Sequence, residues 1–452
     1  MTNKINQTYL LSIISLLLIG FYATVNYKYF SSDGANYLFT LLSTGELFSY
    51  QEGRVAAHYI LKIPSWLLIK IGVKNFELIS FSMGFSFYLQ MILGIVFSFK
   101  ALSQKNKIYI LYPILSTFLF SLNTEYAIES ESLFLNSFFW PVFFYIYEYK
   151  KINLSAILYI PLSIALAFSY ETFCLVSLCL AFAIFKNKFI ALKVKVSCYI
   201  LLFIFSAFQF RNIIHHQHPG NVGRYIYSIK SGFFGLGSMH NNFFPYRNIY
   251  FVFIIVFFVY ILIAATSNKI QKSKNLFFLC IIGIICLVVS YLYPTAVTRN
   301  AQFSTRSLTS IAPFIMIILF YFSVKMRESI NYIFLSKCTS IIITFQVILS
   351  IITTIHWSEF NYNLNKLLNN KQGVVLVRDT FLQDKIIRGE IGINYLFWSL
   401  PLYSIFLDKD KTIDALLYAK NYYSDQMKLL EQIQSNKSTL EQYGFRMRLY
   451  DK

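Results

Sequence analysis

The chain has 452 residues, of which 56% are hydrophobic and 19% aromatic, whereas only 13% are charged. Soluble globular domains carry about 25% charged residues, so this composition excludes an ordinary soluble domain. The net charge of +19 would suit a protein that binds nucleic acid. In a membrane protein the same excess is typical of lysines in cytoplasmic loops, and we expect no nucleic-acid partner.

Repeated apolar runs predict an all-α polytopic membrane protein with about 11 transmembrane helices. The first run has no small-residue cleavage site, so we interpret it as a retained helix and not as a signal peptide. Residues 54–75 contain Pro64, His58, Lys62 and Lys70, and they are predicted to form interfacial helices at the membrane surface. The predicted spans are 8–26, 77–99, 108–122, 132–147, 152–169, 173–185, 196–211, 249–266, 276–292, 308–324 and 338–355.

The lysines set the predicted orientation. If 54–75 stays outside, the lysine-rich loops at 100–107, 186–195 and 269–274 all lie on the cytoplasmic side, as the positive-inside rule requires. The amino terminus is then cytoplasmic and the carboxyl terminus extracytoplasmic. The composition, rich in Lys, Asn, Ile and Phe, suits the inner membrane of an AT-rich bacterium.

The chain divides into two predicted regions. Residues 1–355 form the transmembrane domain, and 356–452 form an extracytoplasmic segment that is nearly balanced in charge, with 13 Lys+Arg and 11 Asp+Glu. The strand-like sequence QGVVLVRD at 372–379 gives this segment a mixed α/β character. The apolar run 393–407 is broken by Pro401, and we predict that it packs on the membrane face without crossing it.

Acidic residues and arginines gather on the predicted outer side. Residues 1–355 contain ten acidic residues, and only Glu148 and Glu328 fall inside. Arginine follows the same division, with Arg327 alone inside in this region. Topology rules give arginine no reason to prefer the outer face, so we expect a site there that needs carboxylates and guanidinium groups together.

Asp33 is the first candidate, because it follows the first span directly in FSSDGANYLF. Asp-Gly pairs favour turns and helix caps, and this simpler interpretation stays open. A carboxylate at the lipid boundary can also have a raised pKa and act as a general base.

Further acids lie in the next two outer loops. The sequence NTEYAIESES places Glu125, Glu129 and Glu131 within seven residues, a density that needs an arginine, a cation or sugar hydroxyl groups, unless the loop is simply solvated. Mg²⁺ or Mn²⁺ would suit such a loop, although the spacing specifies no ion and no cofactor is required. Glu171 occupies a short turn between two apolar runs, where an ionisable residue indicates a function.

The last two outer loops supply basic groups. His215, His216 and His218 have no acidic ligand nearby and are poorly spaced for one ion, so we predict no metal site. The six cysteines also lack zinc-ligand spacing. Guanidinium groups match the geometry of phosphate and suit an anionic headgroup. The arginines in and around these loops are Arg211, Arg224, Arg299 and Arg306.

This arrangement resembles the GT-C class of integral-membrane glycosyltransferases. The resemblance rests on about eleven spans, a long first outer loop with interfacial helices, and an acid directly after the first span. An acidic second outer loop and an outer carboxyl-terminal segment add to it. It implies that Asp33 is the catalytic base, although the second acid of the family's paired motif is replaced here by Gly34.

The resemblance also implies the substrates. A polyprenyl-phosphate sugar would enter from the bilayer, with its phosphate held by outer arginines that include Arg54. His58 is a further predicted substrate-binding residue. Asp33 would deprotonate the hydroxyl group of an envelope glycan or lipid acceptor, which attacks the anomeric carbon. The acidic loop would hold sugar hydroxyl groups. The expected partners are thus the donor lipid, the glycan acceptor and membrane lipids.

Two alternatives stay open. A polysaccharide polymerase or ligase that uses undecaprenyl-diphosphate glycans would carry its chemistry in the loop 212–248. A lipid or glycan transporter would place ionisable groups at mid-membrane depth and often shows repeated halves.

Overall fold

The structure is a computed structural model of the whole chain. It describes residues 2–30, 33–49, 52–122, 130–149, 156–170, 172–215, 301–325 and 332–369, and in the carboxyl-terminal part 373–376, 402, 405–406, 412–413, 415–418 and 431–447. These residues are mostly helical. The α-helices are α1 (Thr2–Val25), α2 (Asp33–Thr44), α3 (Val55–Lys70), α4 (Phe76–Ala101), α5 (Leu111–Ser116), α6 (Ser130–Glu148), α7 (Ala156–Ala167), α8 (Phe173–Lys186), α9 (Leu192–His215), α10 (Ala301–Lys325), α11 (Tyr332–Asn369) and α12 (Lys437–Glu441).

Helices occupy nine of the eleven predicted spans, and the spans 249–266 and 276–292 lie outside the described residues. The third span combines a 3₁₀ segment, α5 and a short π segment over residues 104–121. Four helical stretches in the described part of the chain are long and apolar enough to cross a membrane: Asn3–Val25, Phe76–Ala101, Leu192–Asn212 and Tyr332–Lys366. The prediction of a helical membrane protein is therefore confirmed at this level, while the full count of eleven stays a prediction.

Consecutive long helices alternate in direction, which gives the bundle two distinct ends. At one end, the Thr8 hydroxyl group hydrogen-bonds to Ser336 at 2.7 Å, and Asn106 donates to Glu148. At the other end, Asn361 donates to the carbonyl oxygen of Asn26 at 2.9 Å. We call these the Glu148 end and the Glu131 end, after the acidic residues at the two ends of α6.

Helices α4 and α6 pack tightly and run in the same direction. Gly94 makes this contact possible, because a Cβ atom there would overlap the carbonyl oxygen of Ser137. Glu131 lies six residues before Ser137, which corresponds to about 9 Å of helix rise. This places Glu131 about level with Tyr88, near the middle of α4 and not at its tip.

Helix α3 forms within the region 54–75, whose predicted position in the membrane interface stays a prediction. It packs on α4, where Ser65 donates to the carbonyl oxygen of Ile79 at 2.8 Å. His58 and Lys62 are 2% and 0% exposed, respectively. Two of the three polar side chains that suggested an interface therefore point into the protein, whereas the third, Lys70, is 43% exposed.

The carboxyl-terminal segment combines short strands with a short helix. Two parallel pairs form, between β1 (Gly373–Leu376) and β3 (Ala415–Tyr418) and between β2 (Thr412–Ile413) and β4 (Arg446–Met447). The strand predicted at 372–379 is present as β1. Helix α11 continues across the predicted domain boundary at residue 355, and that boundary stays a prediction.

This segment contacts the Glu131 end of the bundle. Phe406 and Phe445 both pack against Phe76 at the start of α4, with ring centroids 5.4 and 4.8 Å away. Lys74 donates to Gln442 at 3.1 Å. Most of the apolar run 393–407 lies outside the described residues, so its position relative to a membrane is untested.

Candidate functional site

Three basic side chains lie along one face of α3 and the turn before it. Arg54, His58 and Lys62 are four residues apart, a spacing that aligns side chains on a helix. The Arg54 side chain is 16% exposed, while His58 and Lys62 are almost completely buried. A buried basic stripe is costly unless acceptors face it, so the partners of these residues define the site.

Glu131 is the acidic partner of two of them. Its Oε1 accepts hydrogen bonds from Arg54 Nη1 at 3.2 Å and from His58 Nε2 at 2.9 Å. The carboxylate is 2% exposed and lies in the first turn of α6, where the helix dipole favours a negative charge. The residue predicted in an acidic loop is thus the buried centre of an ionic cluster.

The ring of His58 is held on both sides. Ser49 Oγ lies 2.8 Å from Nδ1, and the hydroxyl group of Tyr37 lies 3.2 Å from Nε2. A carboxylate only accepts hydrogen bonds, so Nε2 carries the proton shared with Glu131. In the neutral ring Nδ1 then accepts from the hydroxyl group of Ser49.

Lys62 fixes the segment that precedes Ser49. Its ammonium group donates to the carbonyl oxygen of Phe48 at 2.9 Å. The same group lies 3.3 Å from the ring centroid of Phe48 and 4.3 Å from that of Tyr37. These cation–π contacts and this charged hydrogen bond offset part of the cost of burying the lysine.

A second set of contacts anchors the corner that carries Arg54. Its guanidinium group lies 4.9 Å from the ring centroid of Tyr170, and Gln209 Nε2 donates to the carbonyl oxygen of Gly53 at 2.8 Å. A Cβ atom at Gly53 would lie 2.5 Å from Asn212 Nδ2, so a larger residue here would displace the Asn212 side chain. The end of α9 therefore supports the site from the side.

Asp33 is the first residue of α2, and Tyr37 follows one helical turn later. The Asp33 side chain is not among those that the structure describes. Its backbone begins helix α2, and Tyr37 in the same helix contacts His58. Glycine is required at position 34, because a Cβ atom there would overlap the carbonyl oxygen of Tyr29. The Asp-Gly pair thus forms a helix start, one of the structures that its sequence predicts.

A second polar contact with an acid lies at the same end of the bundle. Tyr27 donates to the carboxylate of Glu77, and burial, followed by this carboxylate, raises the pKa of Tyr27 above its ordinary value. This tyrosine therefore stays protonated at physiological pH and serves as a hydrogen-bond donor.

Apart from Asp33, the predicted site residues fall into three groups. The structure brings together Arg54, His58 and Glu131. Arg211 lies near the end of α9 and is exposed, and Arg306 lies in α10, where only the backbone is described. The residues outside the description are Glu125, Glu129, Glu171, Arg224 and Arg299.

Sequence reasoning missed Tyr37, Ser49 and Gln209 as parts of this region. The four-residue spacing of Arg54, His58 and Lys62 could have indicated the buried stripe. No local pattern identifies Ser49, because its contact with His58 depends on how the segment before α3 folds back. Among the described residues, no group of three His, Cys, Asp or Glu side chains could hold a metal ion.

Comparison with models of known families, with curated proteins and with solved structures found no match for this chain. Support for a helical membrane architecture therefore comes from the helices of the structure alone.

Proposed function

We propose that this chain is an integral-membrane glycosyltransferase of the GT-C type. It would move a sugar from a polyprenyl-phosphate donor to an envelope glycan or lipid acceptor on the outer face of a bacterial inner membrane. The observation that carries the proposal is the buried cluster of Arg54, His58 and Glu131 at the Glu131 end. The Asp33 backbone lies one turn from Tyr37, which contacts this cluster.

The position of the cluster argues for a functional role. Ionisable groups are expensive among apolar helices and are kept there mainly where they bind or transform a ligand. Glu131 lies about level with the middle of α4, and Arg54 is the most exposed of the three clustered side chains. A guanidinium group whose position is fixed by a carboxylate suits the phosphate of a lipid donor, because its fork of N–H groups matches phosphate geometry.

The proposed reaction assigns a separate role to each charged residue. Arg54 neutralises the donor phosphate, and Glu131 holds Arg54 and His58 in place. Asp33 takes the proton of an acceptor hydroxyl group as its oxygen bonds to the anomeric carbon. The bond from that carbon to the phosphate oxygen breaks, and polyprenyl phosphate leaves with its charge stabilised by the guanidinium group. In-line attack predicts inversion at the anomeric carbon.

A lipid or glycan transporter is the second candidate, because one observation favours it. Transporters carry ionisable groups near the bilayer midplane, and Glu131 is level with the middle of a candidate span. The polymerase alternative depends on the loop 212–248, which lies outside the described residues.

The test is mass spectrometry of envelope glycolipids from a strain that lacks this gene. We expect the finished glycan to lack one sugar, and expect wild-type protein to restore it. Asp33→Asn should not restore it, because the amide cannot accept the proton. The matched control is Glu46→Gln, which changes an exposed carboxylate paired with Lys70 at 2.7 Å and should restore the sugar fully.

Other glycan profiles would contradict the proposal. Shorter chains built from intact single units would indicate a polymerase. An unchanged glycan accompanied by accumulated lipid-linked sugar would indicate transport. Full restoration by Asp33→Asn would remove Asp33 from the mechanism.

A further inference from the structure

The hydrogen bonds around His58 form a chain from a buried carboxylate to a less buried hydroxyl group. Glu131 Oε1 lies 2.9 Å from Nε2, and Ser49 Oγ lies 2.8 Å from Nδ1. The Glu131 and His58 side chains are each 2% exposed, whereas Ser49 is only partly buried. Ser49 is therefore the member of this chain that lies nearest to solvent and to an approaching ligand.

This arrangement meets the geometric requirements for an activated serine. A nucleophile needs a base within hydrogen-bond reach, and that base needs a third group to orient it. Glu131 fixes the proton of His58 on Nε2 and leaves Nδ1 as the acceptor for the Ser49 proton. Such triads are recognised by geometry and not by the order of residues in a chain.

We propose that Ser49 is an activated nucleophile that reacts with acyl esters, with His58 as its general base and Glu131 as the residue that positions His58. This reactivity is separate from the proposed glycosyl transfer. The substrate class is an ester presented at the Glu131 end, such as an O-acylated glycan or a lipid ester.

The segment before α3 holds the nucleophile in place. Phe48 directly precedes Ser49, and its carbonyl oxygen accepts the hydrogen bond from Lys62 at 2.9 Å. Its ring also lies against the Lys62 ammonium group, at 3.3 Å from the ring centroid. These contacts fix the backbone of Ser49 relative to α3, the helix that carries His58.

The reaction balances with groups that are present and with water. Ser49 Oγ bonds to the acyl carbon while its proton passes to His58 Nδ1. The ester C–O bond then breaks, and His58 returns the proton to the leaving alkoxide. Water, deprotonated in turn by His58, hydrolyses the acyl-serine and restores the hydroxyl group of Ser49.

The experiment uses the full-length protein in detergent and a fluorescent fluorophosphonate, a probe that reacts with activated serines. We expect wild-type protein to be labelled in one position and Ser49→Ala to lose the label. His58→Gln and Glu131→Gln should slow labelling about a hundredfold or more, because the base is removed or misoriented. The matched control is Ser43→Ala, whose hydroxyl group bonds only to the Thr40 carbonyl oxygen of its own helix at 3.1 Å in the described contacts.

Melting temperatures of all variants separate loss of reactivity from loss of fold. Unlabelled wild-type protein would overturn the proposal, as would a Ser49→Ala variant that labels like wild type. A folded His58→Gln variant that labels at the wild-type rate would contradict the role of His58. None of these outcomes depends on glycosyl transfer, so the serine proposal can be contradicted while the glycosyltransferase proposal stands, and the reverse.

Discussion

The two ends of α6 carry the same residue type in different surroundings. Glu131, in the first turn, is buried and accepts hydrogen bonds from Arg54 and His58. Glu148, the last residue, is only partly buried and accepts a hydrogen bond from Asn106. The helix dipole favours a carboxylate at the first position and opposes one at the last. The comparison shows that the Glu131 end is built to hold buried charge, whereas the Glu148 end uses an acid as an ordinary surface contact.

The largest expected effect comes from removing the buried carboxylate. Glu131→Ala leaves two basic side chains without their shared acceptor, and breaking a buried ion pair in this way costs about 3–5 kcal/mol of stability. The Glu148→Ala variant at the other end of the same helix should cost less than about 1 kcal/mol. Thermal unfolding in detergent measures both, and equal losses would remove the contrast between the two ends.

Gly94 tests the packing that sets the depth of Glu131. Gly94→Ala places a methyl group against the carbonyl oxygen of Ser137 and should separate α4 from α6, at a cost of about 1–3 kcal/mol. Gly45→Ala serves as a control, because its φ of +66° imposes backbone strain while the space around it is open. Separation of the two helices should also weaken the Glu131 cluster. Crosslinking between α4 and α6 would detect the separation in the Gly94 variant, whereas the Gly45 variant should leave this interface intact.

Substitution of Lys62 tests whether its buried ammonium group stabilises the fold around Ser49. Lys62→Met keeps the length of the side chain but removes the charged hydrogen bond to the Phe48 carbonyl oxygen, a loss of about 1–3 kcal/mol. Lys74→Met, at an exposed position, is the matched control. If the methionine variant at position 62 is as stable as wild type, the ammonium group contributes nothing net to the fold.

The smallest effect is expected at the exposed ion pair. Lys70 and Glu46 are 2.7 Å apart, with side chains 43% and 66% exposed. A double-mutant cycle should give a coupling energy below about 1 kcal/mol that falls with added salt. The same cycle on Arg54 and Glu131 should give a larger, less salt-sensitive value. Similar couplings would contradict the proposed difference between buried and exposed charge.

Most of the helical architecture was predictable because apolar runs identify membrane-spanning helices in single sequences. The start of α2 at Asp33 and the strand at 373–376 also followed from local patterns. The depth of Glu131 was not predictable, because it depends on the packing of Gly94 against Ser137, far apart in sequence. Local hydropathy therefore placed Glu131 in a loop.

The site was predictable only in part. Arg54, His58 and Glu131 were identified from their chemistry and their predicted side of the membrane, but not as mutual partners. Their pairing depends on the contact of α3 with α6, which no short motif encodes. Ser49 carries no sequence signal at all, since its role depends on the distance to His58 in the folded chain.

The most direct test of the central claim compares the two ends of α6 in cells. Glu131→Gln and Glu148→Gln would each be expressed in the deletion strain, at equal amounts of folded membrane protein, and the envelope glycolipids analysed by mass spectrometry. We predict that Glu131→Gln leaves the finished glycan without one sugar, while Glu148→Gln restores it completely. A complete glycan from the Glu131→Gln strain would contradict the assignment of the buried cluster as the site of glycosyl transfer.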